Sequence, residues 1–391
     1  MLPRYTSVVA ALPSTVPFVG PEAQERVRGV VFRARIGANE SVFGPSPKAI
    51  AAMQLAAAEC WMYCDPENHD LKAALAQGLG LSSANIVVGE GIDSLFGYTV
   101  RLFTGPGDAV VSSLGAYPTF NFHVVGYGGR LVTVPYVEDR EDPASLIEAV
   151  RRERPKLVFL ANPDNPMGSW WRADAAQALI DAVPLDTVLV LDEAYIEFAP
   201  PGTAPRLDVS RPNVIRYRTF SKAYGMAGAR IAYAIAEESV AKAFDKIRNH
   251  FSVNRIAQAG ALAALADKGY LMDVLDKVSR ARERIGAIAR ANGLMPLASA
   301  TNFVTIDCGR DGAYARRVLD GLVARGVFVR MPSVAPLNRC IRVSAGTEAD
   351  LAIFAEELPK ALVNAGINHL PAPELDNFAR DFTREFSPSA Q

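Results

Sequence analysis

Cysteine and histidine are both scarce in this chain of 391 residues, four of each. Cys60, Cys64, Cys308 and Cys340 are too few and too dispersed for a disulfide framework in so long a chain. The Cys60–Cys64 spacing is wrong for a zinc knuckle, and His69, His123, His250 and His369 are scattered, so no metal site is expected. Charge of either sign is not in excess: 41 Lys and Arg face 42 Asp and Glu. Nothing here draws the chain to nucleic acid or an anionic membrane, and no run of like charge stands out. Long apolar runs are missing too. The stretch Ser7 to Leu12, broken by Pro13, is too short and poorly flanked for a signal peptide, and nothing approaches a membrane span. The expected address is a reducing cytoplasm.

No internal repeat or low-complexity block is visible. Half of the residues are hydrophobic and 21% are charged, which excludes a disordered chain and leaves room for two or three cores. From about residue 45 to 235, short apolar runs alternate with helical patterns. The runs are Ile86–Val88, Ala109–Val111, Leu131–Val134, Leu157–Leu160, Val188–Leu191, Val214–Ile215 and Ile231–Ile235, and several are apolar on both faces. Strands covered by helices on each side have this composition. Helical stretches over 93–103, 143–154 and 172–183 lie between them, which predicts a mostly parallel sheet sandwiched by helices.

The pattern turns helical over 239–248, 255–266 and 270–292. Two apolar runs (302–306 and 340–344) and two helical stretches (313–325 and 348–364) then read as a smaller α+β domain. The expected division is a large domain over 45–255, a small one made of 1–44 and 256–370, and a loosely held polar tail over 371–391.

Ligands of open α/β sheets bind beyond the carboxyl ends of the strands. The residues found there are Gly89-Glu90-Gly91-Ile92-Asp93-Ser94, Ala161-Asn162-Pro163-Asp164-Asn165-Pro166-Met167-Gly168, Asp192-Glu193-Ala194-Tyr195, and Thr219-Phe220-Ser221-Lys222-Ala223-Tyr224-Gly225 followed by Arg230. Taken singly, each has a plain reading as a turn, an N-cap or a solvated lysine. Those readings do not predict a glycine-rich helix start, an amide, a carboxylate and a lysine with hydroxyl neighbours at successive strand ends. Pyridoxal 5′-phosphate uses that set: a lysine amine for a Schiff base, an acid for the pyridine nitrogen, and a helix amino end for the phosphate. Ser221 and Thr219 can add hydroxyl hydrogen bonds, and Arg230 a bidentate charged one.

Asn165-Pro166 with Gly168, Asp192-Glu193-Ala194-Tyr195, and the run Thr219 to Arg230 resemble the fold-type I, class I and II aminotransferases. The likeness runs from about Pro17 to Ala361 and is greatest to the histidinol-phosphate branch. It implies the aspartate-aminotransferase-like fold and the amino donor histidinol phosphate, with 2-oxoglutarate taking the nitrogen. The resemblance makes Lys222 the Schiff-base lysine and the general acid/base. It makes Asp192 the partner of the pyridine nitrogen, and Asn165 and Tyr195 the partners of the ring oxygen. Tyr117 would stack on the ring, while the backbone of Ile92 and Asp93, with Thr219, Ser221 and Arg230, would hold the phosphate. Tyr63 matches a tyrosine that reaches the phosphate from the other subunit, which implies a homodimer. Arg342 matches the arginine that binds the substrate's anionic group and Arg330 a second one, and Asn39 and Glu40 fit a segment at the mouth of the site.

Departures bear on the substrate. Phe18, in Pro17-Phe18, stands where the branch has a tyrosine, and Asp164, Met167 and the segment Gly91-Ile92-Asp93-Ser94 also differ from the usual residues. Losing the phenol favours a more apolar donor, such as an aromatic amino acid, as the alternative, with Trp170 and Trp171 candidates for the pocket wall or for core packing. A decarboxylase or lyase on the same scaffold is a further alternative. A cofactor-binding regulator would need an added DNA-binding module, for which the chain has neither spare length nor a basic helix.

Overall fold

The computed structural model describes residues 4–14 and 19–367. Two compact units emerge: Glu40–Ser279 with Ala300–Asn302, and the described parts of Met1–Asn39, Arg280–Ser299 and Phe303–Gln391.

The larger unit is built on seven strands: β1 (Ile86–Gly89), β2 (Ala109–Ser113), β3 (Arg130–Val134), β4 (Leu157–Ala161), β5 (Val188–Asp192), β6 (Val214–Thr219) and β7 (Ala232–Ile235). Their order across the sheet is β1-β7-β6-β5-β4-β2-β3. Pairings among β2 to β6 are parallel, and β7 pairs antiparallel with both neighbours. Every residue of β2, β4 and β5 is buried, whereas the edge strand β3 is largely half-exposed. The continuous apolar runs are therefore those of strands covered on both faces.

Helices α1 (Pro47–Ala57), α2 (His69–Leu79), α3 (Ile92–Phe103), α4 (Pro118–Gly126), α5 (Pro143–Glu153), α6 (Ala173–Ala182) and α7 (Arg255–Ala266) supply the covers. On one face Leu95, Phe96 and Val100 of α3 and Phe120 of α4 pack on Val110, Phe159, Val190 and Tyr217. On the other, Leu146 and Val150 of α5 and Leu179 and Ile180 of α6 pack on Val158, Leu160, Leu189 and Leu191. Successive strand residues thus feed opposite cores, as a two-residue repeat requires. Pro at the first turn and a side-chain cap start α1 and α5, where Ser46 and Asp142 accept backbone N–H groups of Ala49 and Ser145.

The unit boundaries lie at 39/40 and 279/280, against 44/45 and 255/256 read from the sequence. The reason is packing: Ala257, Ala261 and Ala264 of α7 share a core with Ala49 of α1 and Leu71 and Leu75 of α2. The second boundary falls within the long helix α8 (Lys268–Ala291). The helix expected over 239–248 is observed only as Glu238–Ala243, followed by a tight turn over Phe244–Lys246 whose Phe244 is drawn into the core beside the sheet.

In the smaller unit, β8 (Phe303–Asp307) pairs antiparallel with β9 (Cys340–Ser344) and with Met295–Pro296. Ala34–Arg35 runs parallel to Val327–Phe328. Helices α9 (Gly312–Ala324) and α10 (Glu348–Ile367) complete the unit. Among the described residues no helix is long and apolar enough to cross a membrane. The expected tail over 371–391 lies outside the described residues.

Candidate active site

Strands β1, β2, β4, β5 and β6 all run the same way, so their carboxyl ends meet at one edge of the larger unit's sheet. Arg230, just before the reversed strand β7, arrives at that edge as well. Register places Asp192, the last residue of β5, between Ala161 of β4 and Tyr217 of β6. Asp192 is only 7% exposed. Burial pushes its carboxyl up to about 7, with the negative charges of Glu193 and Asp164 adding and the Ala194 N–H, donated at 2.9 Å, and Lys222 opposing. A buried carboxyl held so high is the electrostatic complement of a buried cation, which would pull it back to the charged form.

Lys222 follows β6 by three residues, and its Nζ lies 5.6 Å from the centre of the Tyr195 ring. The Tyr195 hydroxyl accepts a hydrogen bond from Asn165 Nδ2 at 3.4 Å, and both residues are buried. The turn carrying the lysine is fixed from within. Thr219 Oγ1 accepts the Ser221 N–H at 3.0 Å, and the Gly225 N–H donates to the Lys222 carbonyl at 3.1 Å.

Helix α3 begins beyond β1 without a side-chain cap; its N-cap Gly91 has φ +98°. The first N–H groups of a helix lack partners inside it and carry its positive pole, and Ile92 and Asp93 supply two of them. A Cβ on Gly91 would stand 2.2 Å from Arg230 Nη2, so the bare glycine is what lets the guanidinium close on the helix start. Arg230 Nη1 donates to the Ala227 carbonyl at 2.9 Å, which holds the side chain there. Asp93 reaches His123 Nε2 at 2.7 Å, and half-buried Tyr117 stands at the start of α4. A dianionic phosphate fits this cradle, and a ring carrying a basic nitrogen and an oxygen substituent fits the groups beside it.

The structure therefore brings Ile92, Asp93, Tyr117, Asn165, Asp192, Tyr195, Thr219, Ser221, Lys222 and Arg230 to one sheet edge. Tyr63 stands apart, 79% exposed, its ring centre 4.8 Å from that of Phe251. In the smaller unit, Arg330 and Arg342 exchange backbone hydrogen bonds, Arg342 donating at 2.6 Å and Arg330 at 3.2 Å. Arg342 Nη2 donates to the Gly37 carbonyl at 3.3 Å, and Arg330 Nη2 to that of Val19. The Ser344 hydroxyl donates to Asn39 Oδ1 at 2.9 Å, so Asn39 is joined to the same strand as Arg342. Phe18 lies outside the described residues.

Three supporting groups were not singled out by sequence reasoning. Glu193 is fully buried and paired with Arg216 and Arg218; burial alone would raise its carboxyl, but the two guanidinium groups outweigh that and hold it low. Two arginines at alternate positions of a buried strand are the signal that could have found this cluster. Glu197 is pushed up to about 7 by burial, against the pull of Arg218. Glu141 is buried against the Asn165 loop, and nothing local in its sequence marks it.

The family model for aminotransferase class I and II matches residues 35–358. Histidinol-phosphate aminotransferase 2 of Carboxydothermus hydrogenoformans is 34% identical over 353 residues, 89% of this chain and 96% of that one. The histidinol-phosphate aminotransferase of Roseiflexus castenholzii is 36% identical, with 86% and 92% covered. A crystal structure of histidinol-phosphate aminotransferase from Sinorhizobium meliloti, in complex with pyridoxal 5′-phosphate, is 56% identical, covers 93% of this chain and 98% of that one, and superposes with a TM-score of 0.90. An aspartate aminotransferase from Thermus thermophilus, at 23% identity and TM-score 0.77, shares the fold. With the motifs in family order and their side chains converging on one sheet edge, the chain belongs to the class I and II aminotransferases.

Proposed function

We propose that this aminotransferase uses pyridoxal 5′-phosphate to move the amino group of histidinol phosphate to a 2-oxo acid, 2-oxoglutarate in the first instance. The observation that carries the reading is the convergence of Lys222, Asp192, the Asn165–Tyr195 pair and the Arg230–Gly91 cradle. The names and coverage of the relatives support the choice of donor. The bound cofactor supplies an electron sink for the substrate's α-carbon. Everything else falls to the chain. Lys222 Nζ would take the proton from that carbon as general base and hand it back as general acid. Asp192 keeps a carboxylate against the ring nitrogen, and Asn165 and the Tyr195 hydroxyl hold the ring oxygen. The N–H groups of Ile92 and Asp93, with Thr219, Ser221 and Arg230, hold the phosphate, and Tyr117 covers the ring and excludes water. Arg342, seconded by Arg330, is assigned the substrate's anionic group, with Asn39 and, by its place in the sequence, Phe18 as further substrate contacts.

The same reading makes the enzyme a cytoplasmic homodimer in which Tyr63 reaches the partner's phosphate. Its support is the exposed apolar surface around that residue: Leu55, Trp61 and Tyr63 are 78%, 83% and 79% exposed, which a second copy would cover.

The test is a visible absorption spectrum of protein loaded with pyridoxal 5′-phosphate, before and after adding histidinol phosphate alone. The yellow band is expected to bleach, and to be missing from Lys222→Ala, which should retain the fold and lose turnover. A band that persists with histidinol phosphate and bleaches with an aromatic amino acid would replace the donor. Phe18 is the observation that favours that second reading.

A further inference from the structure

Two buried carboxyl groups outside the catalytic set meet behind Asn165. Glu141 precedes α5 and is 1% exposed, while Asp164 lies in the loop after β4 and is 2% exposed. Their side chains lie within reach of each other, and the charge of Asp164 bears on Glu141. Each of the four oxygens also has a donor from elsewhere. Glu141 Oε2 accepts the Ser113 hydroxyl at 2.8 Å and Oε1 the Ala161 N–H at 3.2 Å. Asp164 Oδ1 accepts the Tyr136 hydroxyl at 2.8 Å and Oδ2 the Met167 N–H at 3.1 Å. Two carboxylates cannot donate to one another, so a bond between the two requires a proton. We propose that Glu141 and Asp164 hold one proton between them and act as a positioning pair, clamping the 161–168 loop so that Asn165 keeps its aim at Tyr195 and at the cofactor's ring oxygen.

The clamp takes hold of both ends of that loop. Glu141 grips Ala161, where β4 ends, and Asp164 ties Met167 by its side chain, while its carbonyl accepts the Gly168 N–H at 3.1 Å and its N–H donates to the Ser169 carbonyl at 2.8 Å. The Trp171 indole N–H donates to the Glu141 carbonyl at 2.7 Å, with the Arg140 guanidinium 5.5 Å from its ring centre. Burial and the charge of Asp164 drive the Glu141 carboxyl well above the ordinary range, in keeping with a retained proton. The titratable groups bearing on the pair are Tyr136 and, through Asp164, Asp192. Sharing a proton leaves one negative charge here instead of two, which limits the upward push of Asp164 on Asp192.

The inference rests on the cofactor reading, and two measurements separate the two. First, infrared spectra of cofactor-free protein at about pH 8, above the ordinary carboxyl range, should contain a protonated-carboxyl C=O band. That band should be lost equally in Glu141→Gln and Asp164→Asn; variants that leave it unchanged overturn the shared proton. Second, the visible band with pyridoxal 5′-phosphate is titrated with pH. Asp164→Ala should move its midpoint in the direction that Asn165→Ala does, by about half a unit or more, as expected for a lost buried hydrogen bond. Asp164→Asn, which keeps the bond and the single charge, should restore it. Should Asp164→Ala not fold, Tyr136→Phe removes one donor to Asp164 and should move the midpoint the same way by less. A midpoint that ignores both variants overturns the positioning role. A protein with no Lys222-dependent band refutes the cofactor reading instead, while the infrared result still decides the proton.

Discussion

The turn that carries Lys222 is held by a glycine with no room for a side chain, and Gly225→Ala measures how much that matters. Gly225 has φ +68°, and an added Cβ would lie 2.2 Å from the Gly44 oxygen and 2.3 Å from its carbonyl carbon. Ordinary contact is about 3.5 Å, so the backbone must part by more than about 1 Å, and no rotamer change can relieve it. Gly202→Ala is the control: φ is +82°, but nothing lies within 4 Å of the added carbon. The control should cost the left-handed penalty alone, about 1–2 kcal/mol. Gly225→Ala should cost that plus about 1–3 kcal/mol of overpacking. At about 2–4 °C per kcal/mol for a unit of this size, the two melting temperatures should differ by roughly 2–12 °C. Because the Gly225 N–H bonds the Lys222 carbonyl, the clash also displaces the lysine, and a shift near 1 Å costs about a hundredfold in rate. Thermal melts and the transamination rate of both variants are the assay. A Gly225→Ala protein as stable as Gly202→Ala, with a rate within about twofold of it, would refute the reasoning.

Other perturbations have equally definite outcomes. Glu193→Ala removes the buried carboxylate that Arg216 and Arg218 share and should cost about 3–5 kcal/mol by denaturant titration. Gly91→Ala should weaken the affinity for pyridoxal 5′-phosphate about tenfold or more in a fluorescence titration, since its Cβ displaces Arg230 from the helix start. Glu197, at about 7 in the fold against an ordinary 4.5, binds its proton more tightly folded than unfolded. Its contribution to stability is therefore present below about 4.5 and lost as pH rises through about 7. Glu197→Gln should gain in melting temperature relative to the parent between about pH 5 and 8, and a constant difference would contradict the assignment.

Local composition determined the parts of this protein that local physics controls. Apolar runs bounded by polar residues located all seven strands of the large sheet, most of them because a strand buried on both faces has few residue types open to it. The groups proposed to hold the cofactor were legible for a related reason: Asp192 ends β5, and Lys222 and Asn165 follow β6 and β4 within four residues, where sequence position already fixes their place on the sheet. Tertiary structure decided what depends on neighbours remote in sequence. The reversed direction of β7 brings Arg230 to Gly91, and no periodicity records strand direction. The packing of α7 on α1 and α2 moved the unit boundary, since a helix's own pattern says which face is apolar and not which core receives it. Glu141 is an unremarkable polar residue in the sequence, and Asp164 is marked there only as a departure from the usual residue of its motif. Only the sheet order, which sets β4 between β5 and β2, buries them together.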